Sequence, residues 1–507
     1  MTRRILETEQ KALEINLDER IYGAFAEVGA GQEVARHFFQ AGAAAGTIAK
    51  TMSAYDKVVS DEIYGAEEQG KGRYVCESRL YKMLAHEYAL MEGRLRTQRP
   101  NQCFFAFADT VAAINYQKTI KGDGWLGLRF QLTPDTAPND MVLHVRLLDL
   151  DNRQQQQAVG VLGVNLLYAC YRYQHDPETL LRSLMDNLHG RIKIDMVRLH
   201  GPDFQHLDNR LLCLWLVKHQ LSEVAIFGPN GDSLHAGEFL YKKSILLARG
   251  SYRPPTLVQQ DMIRCAYEQF RSEPEMDSEE TFFLAEITLD NLRAEGELNE
   301  GDFLDRAEIL CSLGQTVVIS DCVQHKRLIS YFADYKIPHI GLAMGAKKLQ
   351  NILRETSEAN HNNLLVAFGE VFPRNVRFYI YPYLPVLPAL PALPAVALAK
   401  EGVPHTGSLT LSETTSSNES ITFITSKNLP IPQSIHFLYD HLLENRNIVD
   451  IQGFNPSILD IYHKEVLAMI QNGEPGWEEK VPTEVARLIK EKGLFLTGIW
   501  GIGDSVI

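Results

Sequence analysis

The sequence predicts an α/β protein: a mixed α/β N-terminal part, a mainly parallel sheet domain after it, and a helical C-terminal tail. Three observations support this. Short apolar runs such as Thr316-Val-Val-Ile-Ser320 and His339-Ile-Gly-Leu-Ala-Met344 read as strands covered on both faces, which is the habit of parallel sheets. Amphipathic stretches such as Asn299 to Leu313 alternate with them. One segment, Lys243 to Phe270, passes from an apolar run through Gly-Ser-Tyr-Arg-Pro into a helical pattern, the strand–loop–helix arrangement that α/β folds use to hold phosphate.

In chain order, residues 1–100 read as a mostly helical N-terminal segment. The small-residue stretch Ala41 to Thr51 suits a close helix crossing. Its Gly42, Gly46, Lys50 and Thr51 lack the spacing of a phosphate loop, in which lysine directly follows the second glycine. Residues 101–240 read as an α/β domain. Arg129, His144 and Arg146 share strands with apolar residues, which suits either a basic face for an anion or cross-strand ion pairs. Asp176-Pro177 and Asp208 are helix-start signals. Residues 241–383 form the Rossmann-like domain, with Gly314 as a helix stop. Residues 384–430 are a Pro-rich and Ser/Thr-rich linker or insertion, with prolines at 385, 388, 391 and 394, and residues 431–507 a helical C-terminal segment.

Composition narrows the function. A net charge of −14 argues against a nucleic-acid partner, because backbone affinity needs clustered cations. The longest apolar run, Leu384 to Ala399, carries four prolines, so no membrane span is expected. Acid precedes any apolar core at the N-terminus, which does not suit a signal peptide. The seven cysteines form no Cys-x-x-Cys pair, and the sixteen histidines show no His-x-x-x-His spacing. A cytoplasmic protein with reduced thiols and no sequence-encoded metal site is the expectation. A homo-oligomer is compatible with it.

The candidate site is the loop after the Ile245 run. Glycine lets backbone approach a ligand closely, and the amides at the start of the next helix favour an anion. Lys242, Lys243, Arg249 and Arg253 add charge, although strand alternation prevents all four from facing one way. Gly250, Ser251, Tyr252, Pro254 and Thr256 resemble the first motif of the nucleotidylyltransferase superfamily, Gly-Ser/Thr-Phe-x-Pro-x-His/Thr-x-Gly-His. Val258 and Gln259 stand where that motif has Gly and its catalytic His. For the later Ser-x-Thr-x-x-Arg/Lys motif the chain offers only Ser412 and Thr414, with Ser417 at the cation position. Most of the chain is also similar to a long bacterial family bearing the nicotinate-nucleotide adenylyltransferase name.

The resemblance implies a small-molecule nucleotide as partner and ATP with Mg²⁺ as cofactors. Gly250, Ser251, Arg253, Thr256 and Lys243 would bind the nucleotide. Two functions follow. One is adenylyl transfer from ATP to nicotinate mononucleotide or a similar phosphorylated acceptor, with pyrophosphate release. The other is a non-catalytic nucleotide-binding or regulatory protein, which Gln259 in place of histidine favours.

Overall fold

The computed structural model describes residues 3–66, 74–274, 276–277, 280–294, 296–359, 363–385 and 423–496. Pro388, Pro391, Pro394, Ser412, Thr414 and Ser417 lie outside the described residues, so the linker and the partial second motif are not addressed by it.

Two sheets organise the chain, and the α/β class holds. The first contains β1 (Ile21–Gly29), β2 (Ile48–Ala54), β3 (Cys103–Ala112), β4 (Gly122–Phe130), β5 (Asn139–Leu147) and β6 (Ile192–His200), in the order β2-β1-β3-β4-β5-β6. β1, β2 and β3 are parallel, and β3 to β6 are antiparallel. Helices Thr8–Asn16, Val34–Ala41 and Asn152–Arg172 cover one face, where Phe25, Phe38, Phe105 and Phe107 pack edge-on and tilted. Helix Glu77–Leu95 covers the other, through Leu80, Met83 and Leu84. Asn152–Arg172 is apolar nearly all round because it runs through the interior; Gly163 brings it close to Val34.

The N-terminal segment differs from its sequence reading. β1 and β2 lie within residues 1–100 and pair with β3, so the expected break at 100 falls inside a sheet. The small residues from Ala41 make a 3-10 turn, Ala44–Gly46, and then β2 rather than a helix crossing. β1 carries Ile21, Tyr22, Phe25 and Val28, but Gly23, Ala24, Ala26 and Glu27 interrupt the run and weaken its strand signature.

The second sheet contains β7 (Val224–Phe227), β8 (Ser233–Leu234), β9 (Ser244–Arg249), β10 (Thr281–Thr288), β11 (Thr316–Ser320), β12 (Ile340–Gly345), β13 (Val376–Tyr381) and β14 (Ile448–Asp450). Its order is β14-β13-β12-β9-β10-β11-β7-β8. β9 to β14 are all parallel, and β7 and β8 form an antiparallel edge. Counted from β9, the parallel strands run 3-2-1-4-5-6, the doubly wound Rossmann arrangement. Helix Leu257–Arg271 covers β9, β12 and β13 on one face; helices His325–Ala333, Ala346–Ala359 and Leu364–Val371 cover the other. The boundaries expected at 240 and 383 also shift, because β7, β8 and β14 join this sheet from outside that range. The apolar run Val224–Phe227 reads as a strand in the sequence, whereas β8 and β14, with two and three residues, are too short for periodicity to register. Helix Asn209–Lys218 lies between the sheets, and its Leu212, Leu214 and Leu216 join one core that reaches from Phe25 to Ile319.

Candidate functional site

β9 ends beside the place where the second sheet changes direction. β10 and β11 continue on one side and β12 to β14 on the other. Connections leaving such a point diverge to opposite faces and open a crevice at the carboxyl ends of the two strands. The Gly250–Thr256 loop leaves β9 there, opposite the turn at Gly345-Ala346 that begins helix Ala346–Ala359.

Most polar groups of the loop are already engaged. Arg249 donates from Nε and Nη2 to the two oxygens of Glu286, each at 2.8 Å, and from Nη1 to the Val323 carbonyl at 2.7 Å. Glu286 is fully buried and accepts a third hydrogen bond from Ser320 Oγ at 2.5 Å. The Gly250 amide donates to the Glu286 carbonyl, and the Gly250 carbonyl accepts from Asn291 Nδ2. Arg306 donates to the Ser251 carbonyl, and Arg306 and Arg253 both hold Asp302. Tyr252 is buried at a φ of 50°, with its hydroxyl donating to the Ala248 carbonyl at 2.6 Å. Thr256 caps helix Leu257–Arg271 by accepting from the Gln259 amide.

The structure therefore brings Gly250, Ser251, Arg253, Thr256 and Gln259 together. A Cβ on Gly250 would stand 2.2 Å from Gln259 Nε2, so the Gln259 amide rests on the glycine backbone. Lys243 is elsewhere. It precedes β9 at the opposite edge of the sheet, its ammonium over the rings of Phe239 and Phe282 at 4.9 and 4.5 Å. At about 3.3 Å per strand residue it is roughly 20 Å from Gly250. A cavity of about 100 Å³ does lie beside the loop, between Tyr252, Ile263, Leu310 and Pro482, and its lining is largely apolar.

Charge that is not consumed lies across the crevice, on residues the sequence reading passed over. Helix His325–Ala333 follows β11 with Gln324 at its N-cap, and the Gln324 side chain makes no cap hydrogen bond. His325 is 6% exposed and has no hydrogen-bond partner among the described residues. It lines a small pocket of about 50 Å³ with Lys326 and Lys348. Burial, with help from Arg249 and Lys348, holds the His325 imidazole well below its usual range, so it is neutral. The sequence signals were Gln324-His-Lys326 and Gly345-Ala-Lys-Lys348, each directly after a buried strand.

Comparison with known proteins gives a partial likeness only. No protein-family model matches the chain, and no curated protein matches it. Among solved structures, the competence/damage inducible protein CihA from Agrobacterium tumefaciens is 15% identical, with a TM-score of 0.24, and covers 33% of this chain and 98% of its own. A CinA superfamily protein from Klebsiella pneumoniae is 12% identical, with a TM-score of 0.25, covering 33% and 99%. One from Escherichia coli is 14% identical, with a TM-score of 0.23, covering 33% and 95%. A third of this chain spans each neighbour, and at these scores the likeness carries no argument about activity. The nicotinate-nucleotide adenylyltransferase resemblance has no family model behind it. No helix among the described residues is long and apolar enough to cross a membrane.

Two further clusters are electrostatically distinctive. On the first sheet His144 Nδ1 is 2.6 Å from Asp195 Oδ1, with Asp123 3.6 Å from its Nε2. Arg146 is 3.3 Å from Asp195. Burial alone would lower the His144 imidazole; the Asp195 and Asp123 carboxylates outweigh it and hold it up to about 9. Burial likewise opposes ionisation of Asp195, and His144 overcomes it, to about 2. Together with Arg129 on Asp140 at 2.6 Å, the basic sheet face is thus a set of cross-strand ion pairs. His144, Asp195 and His235 bring ligand atoms within 4.8 Å of one another, a set that could hold a metal. Within this cluster His144 and Arg146 lie against the Asp123 and Asp195 carboxylates.

The second cluster pairs Glu27 on β1 with Asp109 on β3, directly opposite in register. Burial raises Glu27 to about 7, against two amide hydrogen bonds from Val34 and Ala35. Burial and the Glu27 charge raise Asp109 as well. The sequence signal was a carboxylate inside each of two apolar strands.

Proposed function

We propose that this protein binds a nucleotide at the carboxyl edge of its second sheet and does so without transferring the adenylyl group. The observation that carries the reading is the strand order. It puts the Arg249–Thr256 segment at the point where the parallel sheet reverses direction, with a capped helix start behind it. ATP with Mg²⁺ is the first ligand to test, in keeping with the motif resemblance.

What favours binding over transfer is the state of the loop. Phosphoryl-type chemistry needs cations free to meet developing charge. Here Arg249 and Arg253 are committed to Glu286 and Asp302, and Gln259 supplies an amide where the motif has histidine. The test is thermal denaturation with ATP, AMP and NAD, with and without Mg²⁺, beside a pyrophosphate-release assay with nicotinate mononucleotide. A ligand at a hundred times its Kd stabilises the native state by about 2.7 kcal/mol, a readily measured rise in melting temperature. Stabilisation without turnover supports the reading. Turnover with pyrophosphate release would establish adenylyl transfer instead, and absence of any stabilisation would remove both.

A further inference from the structure

We propose that the phosphate of the bound ligand sits at the start of helix His325–Ala333, held by the first-turn amides, His325 and Lys348, and not in the Gly250–Thr256 loop. The proposal rests on the nucleotide reading for the ligand's identity, while the site itself is argued from its own residues.

Four observations converge. The helix is nine residues long and its N-cap Gln324 contributes no side-chain hydrogen bond; the Arg327 amide turns back to the Gln324 carbonyl at 3.1 Å, which leaves the His325 and Lys326 amides at the helix start without a side-chain cap. His325 is 94% buried by its 6% exposure, lines that pocket and has no hydrogen-bond partner among the described residues. Neither ring nitrogen of His325 is among the fully buried, unsatisfied side-chain atoms, so the imidazole meets the solvent of the pocket, where a ligand oxygen can take the place of water. Lys348 lines the same pocket, is exposed, and has no ion-pair partner among the described residues, whereas Lys326 is held at 3.0 Å by Glu370. The pocket, about 50 Å³, is of the size of one phosphate group and lies at the carboxyl ends of β11 and β12.

The one acid in the lining, Glu355, is seven residues along the helix from Lys348. That is about 10 Å at 1.5 Å per residue, so it borders the far end of the pocket from the lysine. In the loop, by contrast, each arginine already has its carboxylate and Thr256 is spent as a cap. A neutral His325, kept so mainly by burial and in lesser part by Arg249 and Lys348, retains one N–H to donate to a phosphate oxygen.

The test is isothermal titration of the full chain with pyrophosphate, ATP and adenosine, in wild type and in Lys348→Ala, His325→Gln and Arg253→Ala. Lys348 is exposed, so its variant folds as wild type does, and circular dichroism checks this. A charge-assisted hydrogen bond lost from the phosphate weakens binding about 10- to 100-fold. The expected result is that loss for ATP and pyrophosphate in Lys348→Ala, a smaller one in His325→Gln, and a change under threefold in Arg253→Ala. If Lys348→Ala binds both within twofold of wild type, or if Arg253→Ala alone abolishes binding, the phosphate lies in the loop and this proposal falls while the nucleotide reading stands. If adenosine binds as tightly as ATP, no phosphate subsite exists. If wild type binds none of the three, both fall together.

Discussion

Arg249 offers a quantitative test of how the crevice is held. Its guanidinium makes two 2.8 Å hydrogen bonds to Glu286, a carboxylate with no solvent exposure, and ties β11's exit through the Val323 carbonyl. Arg249→Met keeps the apolar stem and removes the charge, leaving Glu286 with Ser320 Oγ as its one remaining side-chain donor among the described residues. Breaking a buried pair from one side costs about 3–5 kcal/mol, because the orphaned charge stays desolvated. Removing both charges is far cheaper, so Arg249→Met/Glu286→Gln should recover at least half of that loss. In urea, with a slope of about 3 kcal/mol per molar, the single variant should shift the midpoint down by about 1–2 M. The cycle is read from urea titrations followed by circular dichroism for wild type, both single variants and the double. A single-variant loss under about 1 kcal/mol, or a double variant that costs the sum of the singles, refutes the claim that this ion pair organises the crevice.

Three further outcomes are expected. Gly163→Ala should destabilise although it adds a better helix former: the new Cβ would lie 2.4 and 2.6 Å from the Val34 methyls. About 1 kcal/mol of helix propensity is outweighed by about 1–3 kcal/mol or more of overpacking; a melting temperature at or above wild type would contradict this, and Val34→Ala should relieve it. Gly250→Ala should cost about 1 kcal/mol or more, because the new Cβ meets the movable end of Gln259 at 2.2 Å and also the ring of buried Tyr252 at 3.1 and 3.2 Å; no measurable loss in urea would show that both side chains give way. The pH profile has a defined sign. Glu27 and His144 both have folded-state pKa values above their unfolded ones, so stability is fullest below about 4.3 and 6.5, respectively, and falls as pH rises through about 7 and about 9. Glu27→Gln should reduce, without abolishing, the slope between pH 5 and 7 of a urea-midpoint profile, because burial raises Asp109 too, and should leave the pH 7–9 decline; an unchanged slope between 5 and 7 would refute the assignment.

Much of the architecture was legible because its cause is local. The runs at Val317 and Leu342 announce buried parallel strands by composition alone, and Asp176 and Asp208 cap helices where their side chains reach backbone amides two or three residues on, while the cap role of Thr256 appears only in the structure. The Gly250–Thr256 loop was likewise visible as a strand–turn–helix junction. What stayed hidden depends on partners distant in sequence. β1, β8 and β14 are strands because of the neighbours they pair with, not because of their own periodicity. Nor does spacing tell that Arg253 would spend its charge on Asp302.

By itself, then, the sequence determined the α/β class, most helix boundaries and the existence of the loop, since propensity, capping and burial pattern act over a few residues. Only the tertiary structure decided which cations remain unspent. Charge neutralisation is a matter of distance in space, and the chain places His325 and Lys348, some 70 to 100 residues after Gly250, across the crevice from a loop whose own arginines are already paired.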